Sequence, residues 1–78
     1  KIHDKVGSGS WTVAPGVAMA SACSGWVRHT VASGGQPVVA AFNDGSGTWD
    51  NNGSRDYTLT GAVARVDSGQ VSSTRRCP

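Results

Sequence analysis

Residues 37–52 read PVVAAFNDGSGTWDNN, and the change in character after residue 43 indicates how the chain folds. The apolar run over residues 37–43 predicts a central strand that is buried on both faces. The small, polar and turn-forming residues that follow predict a loop over residues 44–56. Loops of this length without regular structure are uncommon in compact domains and are often functional. The sequence therefore directs the search for a site to this loop.

The composition favours an all-β fold. The 78 residues suffice for one domain, and Val and Ala dominate its apolar positions, which suits a sheet of short strands better than a helix bundle. The absence of Glu also argues against exposed helical faces. Alternation and turn residues predict short strands at residues 2–6, 11–13, 17–22, 26–32, 37–43, 57–60, 62–66 and 70–74. The first two of these are expected to form a hairpin, and the regular spacing is typical of a small antiparallel sandwich or barrel.

The two cysteines predict a disulfide bond. Joining Cys23 to Cys77 would close a loop worth about 4 kcal/mol of stability to a domain this small. The alternative is a pair of free buried thiols, as is usual in the cytosol. The position of Cys77 next to the C-terminus favours the disulfide, and hence secretion into an oxidising compartment. We find no signal peptide and expect a mature or excised chain.

The charge pattern argues against nucleic-acid and membrane partners. Seven Lys and Arg residues against five Asp residues give a net charge of +2, without clustering. Dispersed charge of this size is typical of a solvated surface and not of a nucleic-acid interface. No apolar run approaches the roughly 20 residues that span a bilayer.

The sequence offers little for catalysis or metal binding. Asp44 and Asp50 could form the carboxylate pair of a glycosidase, but Asp beside Gly or Asn is more often turn chemistry. Residues 50–56 faintly resemble a calcium loop, yet position 12 counted from Asp50 is Gly61 and not the Glu of an EF-hand. We therefore expect no cofactor, and a Ca²⁺ ion in the 44–56 loop remains an alternative to a loop held by its own Asn and Asp side chains.

The aromatic residues suggest carbohydrate binding. Trp26 opens a Val-rich strand and is expected to pack in the core. Trp49 lies in a polar loop that offers little to bury it, although an indole carries about 150–250 Å² of surface. Across the first predicted hairpin, His3 and Trp11 are expected to share a face. Exposed aromatic faces of this kind can stack on the apolar C–H patch of a pyranose ring.

The quoted residues resemble a known family. The pattern IHD-x6-W-T-x2-PG-V-x-M, the later GW, and FNDGSGTWDNNGSRDY are similar to the starch-binding carbohydrate-binding modules of family 25, with family 26 a weaker match. The resemblance covers residues 2–71. It implies a small antiparallel β-sandwich, immunoglobulin-like, with seven or eight short strands. It also implies a non-catalytic module that binds starch or malto-oligosaccharides and anchors a secreted amylase or related enzyme.

The resemblance also assigns roles to single residues. His3 and Trp11 would form one wall of the sugar platform, and Trp49 the other. Asn51 and Asn52 would hydrogen-bond to sugar hydroxyls, and Asp50 would shape the loop. The implied carbohydrate-binding set is therefore His3, Trp11, Trp49, Asp50, Asn51 and Asn52. Tyr57 is expected to pack beneath the loop.

Three departures from the family pattern stand out. Asp4 replaces the usual aromatic after the His, and Asp56 replaces the usual Asn before the Tyr. Family members also begin with a strand ahead of the His-bearing one, whereas this sequence starts at Lys1. Residues 1–78 are thus expected to form a single module that either lacks this strand or closes differently. A bare strand edge would invite pairing between chains.

Two other functions are compatible with the sequence. A free-standing secreted protein that binds microbial cell-wall glucan or chitin, with antimicrobial activity, would also be small and basic, with a pI near 8.9. A small secreted hydrolase is disfavoured, because no convincing acid pair is present.

Overall fold

The computed structural model describes residues 1–73, and within them every regular element is a β-strand. The eight strands are β1 (Ile2–Val6), β2 (Ala20–Ser21), β3 (Val27–Arg28), β4 (Val38–Asn43), β5 (Trp49–Asp50), β6 (Tyr57–Leu59), β7 (Arg65–Asp67) and β8 (Gln70–Ser72). All of their pairings are antiparallel. The prediction of an all-β chain with seven or eight short antiparallel strands is confirmed. The described residues include no helix that could cross a membrane.

Strand β4 organises the largest sheet. It pairs with β1 along one edge and with both β5 and β6 along the other. The apolar run in residues 37–43 therefore forms a central strand, as predicted. The remaining strands form two separate hairpin sheets, β2–β3 and β7–β8.

Side-chain alternation gives the four-stranded sheet two different faces. One face carries Ile2, Val38, Ala40 and Tyr57, which are all buried. The register places Ala40 opposite Tyr57, so a small residue makes room for a large ring. The opposite face carries His3 on β1, whose register partner on β4 is Ala41.

The predicted hairpin over residues 2–13 is wrong. Residues 11–13 form no strand, and β1 pairs with β4 instead. The segment after β1 does return along the outer edge of β1. The Thr12 N–H donates to Asp4 O at 2.8 Å, and Ile2 and Val17 exchange two backbone hydrogen bonds. Pairing with the apolar strand β4 gives the backbone groups of β1 more hydrogen-bond partners than a local hairpin would.

These bonds also bear on the outer edge of β1, which would be bare if no segment paired with it. The outward-facing backbone groups of β1 belong to Ile2, Asp4 and Val6. Each has at least one partner in residues 9–17, because Gly9 N–H donates to Val6 O at 2.9 Å. The edge of β1 is therefore covered by the chain itself, and it gives no reason to expect pairing between chains.

Several predicted strands are shorter than expected. In the segments at residues 17–22 and 26–32 the strands extend only over Ala20–Ser21 and Val27–Arg28, where the side chains are exposed, and Val17 forms an isolated bridge with Ile2. Because so little side-chain surface is buried there, packing does not stabilise a longer ladder. The sequence predicts a loop over the residues of β5, and the pairing of this strand with β4 is a tertiary contact that local composition does not reveal.

Trp26 is half-buried, and the Arg65 guanidinium carbon lies 5.5 Å from the centroid of its ring. This placement is less deep than the predicted core position.

Cys77 lies outside the described residues, so its disulfide bond to Cys23 stays a prediction.

Gly16 holds the returning segment against β1. Its φ is +105°, and a Cβ at this position would meet Ile2 O and lie 2.9 Å from His3 Cα. We therefore expect Gly16→Ala to lower the free energy of unfolding by more than the ~1–3 kcal/mol of backbone strain alone. Chemical denaturation measures this change.

Gly47→Ala is the matched control. Gly47 has a similar φ of +102°, but a Cβ there would meet nothing within 4 Å. Equal destabilisation by the two substitutions would contradict the close approach of Gly16 to β1.

Candidate functional site

Three aromatic side chains meet on the outer face of the large sheet. His3 lies on this face of β1, and the pairing of Asn43 with Trp49 puts Trp49 on the same face at β5. Trp11 reaches this face from the segment that runs along the outer edge of β1. Residues distant in sequence are thus brought together by the register of β4.

The rings form a bent surface. The His3 and Trp11 rings are stacked, with centroids 4.9 Å apart and planes 22° apart. The Trp49 ring meets His3 edge-on, at 5.8 Å and 78°. The two indole planes are therefore steeply inclined to each other. Trp11 is 37% exposed and Trp49 is 41% exposed, so each has bare surface available for a ligand.

The aromatic residues border an open groove of about 380 Å³. The residues that line it are His3, Trp11, Ala41, Trp49, Asn51 and Asp56. The groove thus combines two apolar walls with an imidazole, an amide and a carboxylate. A few polar groups among aromatic surfaces are typical of sites for small polar ligands.

The groove exists because β4 changes partner at Ala41. The register pairs Phe42 with Asp50 and Ala40 with Tyr57, which leaves Ala41 opposite the loop between β5 and β6. Residues 51–56 are looped out at this point. The Asp56 N–H donates to Asn51 O at 2.8 Å and closes the neck of the loop beside Ala41.

The 44–56 loop is held by its own polar side chains. Asp44 Oδ1 accepts from the N–H groups of Ser46 (2.7 Å) and Thr48 (3.2 Å). These bonds lower the pKa of Asp44, that from Ser46 contributing most. They confirm the turn interpretation of these residues. Among residues 1–73, no three His, Cys, Asp or Glu side chains are grouped to hold a metal ion.

The predicted binding residues are divided between the groove and its support. His3, Trp11, Trp49 and Asn51 line the groove. Asp50 and Asn52 do not. The carboxylate of Asp50 accepts a 2.8 Å hydrogen bond from the Tyr57 hydroxyl, on the buried side of the sheet.

The amide of Asn52 is also used within the loop. Its Nδ2 donates to Asp56 O at 3.0 Å, and its φ is +54°. Asn51 Oδ1 accepts from Ser54 N–H at 3.1 Å, which leaves the Asn51 amide hydrogens for other partners. Tyr57 is 1% exposed, as expected for a residue beneath the loop.

Sequence reasoning missed Ala41, Asp56 and Lys5 as parts of this surface. The Lys5 ammonium lies 5.5 Å from the centroid of the Trp11 ring. Alternation along the strand could have found Lys5, since it is two residues from His3. Alternation that starts from Trp49 would also have placed Asn51 on the same face as Trp49, and Asp50 on the other face. Nothing local marks Ala41 or Asp56, because their roles depend on the partner change of β4.

Comparison with known proteins agrees with this geometry. The model of the carbohydrate-binding domain of family 25 matches residues 1–78. This chain is a family 25 carbohydrate-binding domain. Its structure is similar to that of the iodinated family 25 module of a Bacillus halodurans amylase in complex with maltotetraose. The TM-score is 0.89 and the identity is 38%, over 97% of this chain and 84% of that one.

Longer relatives contain the same domain as a small part. A β/α-amylase of Paenibacillus polymyxa is 40% identical over 70 residues, which is 87% of this chain and 6% of the enzyme. An α-amylase of Niallia circulans is 40% identical over 73 residues, or 90% of this chain and 6% of that enzyme. The family 25 domain described here thus spans a small fraction of these amylases.

The lowered pKa of Asp44 predicts an acid-dependent stability. Because the carboxylate is stabilised only in the folded loop, its contribution is present above about pH 3.8 and lost as the pH falls through the lower folded pKa. We expect Asp44→Asn to lose less stability than the parent chain when the pH is lowered across this window. Denaturant unfolding at a series of pH values measures it, and parallel curves would contradict the assignment.

The bond between Tyr57 and Asp50 predicts an alkaline dependence. The hydrogen bond to Asp50, together with burial, raises the pKa of Tyr57 above its usual value of about 10. The folded state thus disfavours the phenolate, so stability is present below about pH 10 and lost as the pH rises through the folded pKa. Tyr57→Phe should cost about 1.5–3 kcal/mol at neutral pH and abolish this alkaline loss.

Spectrophotometric titration of Tyr57, the single Tyr in the chain, provides the direct measurement. Asp50→Asn is the matched control, since it keeps an acceptor but removes the charge, and it should bring the Tyr57 pKa closer to its ordinary value. An unchanged titration in this variant would show that Asp50 does not act on Tyr57.

Proposed function

We propose that this domain is a non-catalytic module that binds starch and related α-1,4-glucans and holds a secreted enzyme on the polysaccharide. The observation that supports it best is the exposed cluster of His3, Trp11 and Trp49 around one groove. The similar Bacillus halodurans module was solved with maltotetraose, and the relatives that contain such a domain are amylases.

The inclination of the indoles favours an α-glucan. In an α-1,4-glucan the chain is helical, so successive glucose rings present their apolar faces at an angle. Two steeply inclined indoles can each stack on one of these faces, and stacking removes apolar area from water on both sides. A flat polysaccharide such as cellulose or chitin would be better served by coplanar aromatic rings.

The polar groups in the groove complement sugar hydroxyls. In this proposal Trp11 and Trp49 stack on the sugar, while His3 and Asn51 hydrogen-bond to it. Asp50 and Asn52 act indirectly, because their side chains hold the loop that carries Trp49 and Asn51. Asp56 adds a carboxylate to the same groove.

The carboxylates support a binding role and not a hydrolytic one. A general acid of a glycosidase needs a raised pKa, whereas hydrogen bonds lower the pKa of Asp44. Asp50 is engaged by the Tyr57 hydroxyl on the buried side of the sheet. The pair that the sequence offered for catalysis is thus used to hold the loop.

Tethering explains why a shallow site is useful. A groove that contacts few sugar rings gives an expected affinity in the micromolar to millimolar range. Attachment to an enzyme raises the local concentration of substrate and adds avidity when modules are repeated. We infer an extracellular location, because starch granules and long glucans are met outside the cell and the predicted Cys23–Cys77 disulfide suits an oxidising compartment.

Depletion of the protein by granular starch tests the proposal. Trp11→Ala and Trp49→Ala should each weaken binding about tenfold or more, because each removes a stacking surface at the centre of the site. Titration with β-cyclodextrin or maltoheptaose, followed by calorimetry, gives the affinities. Retention of binding by the double variant would eliminate the groove as the binding site.

Trp26→Phe is the control. It removes the indole that does not line the groove, so binding should be unchanged, and the remaining fluorescence then reports only Trp11 and Trp49. Parallel depletion by chitin and by β-1,3-glucan distinguishes starch binding from cell-wall binding. Stronger depletion by either of these would contradict the proposed substrate class.

A further inference from the structure

A chain of hydrogen bonds through Thr12 links β1 to the segment that carries Trp11. The Asp4 N–H donates to Thr12 Oγ1 at 3.1 Å, and Thr12 Oγ1 lies 3.0 Å from His3 Nδ1. The Thr12 N–H donates to Asp4 O at 2.8 Å. Thr12 is therefore fixed to β1 through both its backbone and its side chain.

These bonds favour one of the two neutral forms of the His3 ring, because the Thr12 hydroxyl group has a single hydrogen to donate. The Asp4 N–H can only donate, so it occupies one acceptor site of Thr12 Oγ1. Within residues 1–73, the hydrogen bonds of the Thr12 hydroxyl include one other partner, His3 Nδ1. Oγ1 has a second lone pair, but if it accepted from Nδ1 the hydroxyl hydrogen would have no partner within residues 1–73. Donation to Nδ1 is the arrangement that gives this hydrogen a partner. A neutral imidazole whose Nδ1 accepts a hydrogen bond is protonated at Nε2.

The other ring nitrogen remains available to a ligand. No hydrogen bond within residues 1–73 involves His3 Nε2, and Nε2 is not among their buried polar atoms without a partner. The ring lies against Trp11 and Trp49 on the wall of the groove. Nε2 is thus open to solvent on a ring that lines the groove.

We propose that Thr12 is a positioning residue that holds neutral His3 in the Nε2–H form, so that the groove presents an N–H donor to an oxygen atom of the sugar. The identity of the ligand rests on the proposed function, whereas the protonation of the ring does not. Asp56 lines the same groove, and an ionised carboxylate can only accept. The groove therefore offers a donor and an acceptor to hydroxyl groups that can serve as both.

Nitrogen-15 NMR of the histidine rings tests the assignment without any ligand. The chain has two histidines, and His29 is exposed and makes no hydrogen bond within residues 1–73, so it serves as the internal reference. At a pH about two units above the usual His pKa of about 6.5, His3 should show a protonated Nε2 and an unprotonated Nδ1. A protonated Nδ1, or averaged signals like those of His29, would overturn the proposal.

Two variants of Thr12 separate its hydroxyl group from its shape. Thr12→Ser keeps the hydroxyl and should keep the Nε2–H form, whereas Thr12→Val keeps the shape and should lose the preference. A Thr12→Val spectrum identical to that of the parent chain would show that Thr12 does not position the ring. If Thr12→Val does not fold, the spectra of the parent chain and of Thr12→Ser decide the question.

Titration with maltotetraose tests the role of the donor. Thr12→Ser should bind like the parent chain, and Thr12→Val should bind about 3–10-fold more weakly, the value of one neutral hydrogen bond. Equal affinity despite a changed tautomer would overturn the donor role. A parent chain with the Nε2–H form that binds no malto-oligosaccharide would instead refute the proposed function and leave the tautomer assignment standing.

Discussion

The change of partner along β4 is the constraint on which the rest of this structure depends. One edge of a single strand pairs first with β6 and then with β5, and only Ala41 separates the two ladders. The six residues between those strands have no place in the sheet and must leave it. Closing their neck with the bond from Asp56 N–H to Asn51 O satisfies the backbone groups that the interruption would otherwise leave unpaired. Trp49 and Asn51 are thereby carried to the same face of the sheet as His3.

The same arrangement explains how a small domain keeps indoles exposed. Burial of Trp11 and Trp49 would stabilise the fold, but the neighbouring side chains make other contacts and do not cover the two indoles. The loop side chains bond to their own backbone, and the His3 ring covers only part of each indole. The core is supplied instead by the opposite face, where Ile2, Val38, Ala40 and Tyr57 are buried. Division of one sheet into a packing face and a binding face lets function and stability use different residues.

Features that depend on local interactions are predicted correctly, whereas features that depend on pairing between distant segments are not. Alternation over residues 2–6 predicts β1 correctly because it reflects one buried face, and the apolar run at 37–43 predicts the central strand. The hairpin over residues 2–13 was wrong because turn residues at 7–9 suggest a local partner, whereas the β1–β4 ladder is formed between distant segments. The binding set implied by the resemblance includes Asp50 as the residue that shapes the loop, and alternation along β5 places its side chain on the other face of the sheet from Trp49.

The sequence by itself determined the fold class, the central strand, the turn chemistry of the 44–56 loop and the set of aromatic residues that a carbohydrate site would need. Each of these depends on composition, on a period of two or on bonds between near neighbours. Only the tertiary structure decided that His3, Trp11 and Trp49 share one groove, that Ala41 lines it, and that Asp50 and Asn52 support the loop. Those facts depend on strand register, which is settled by packing across the whole chain and by no single segment.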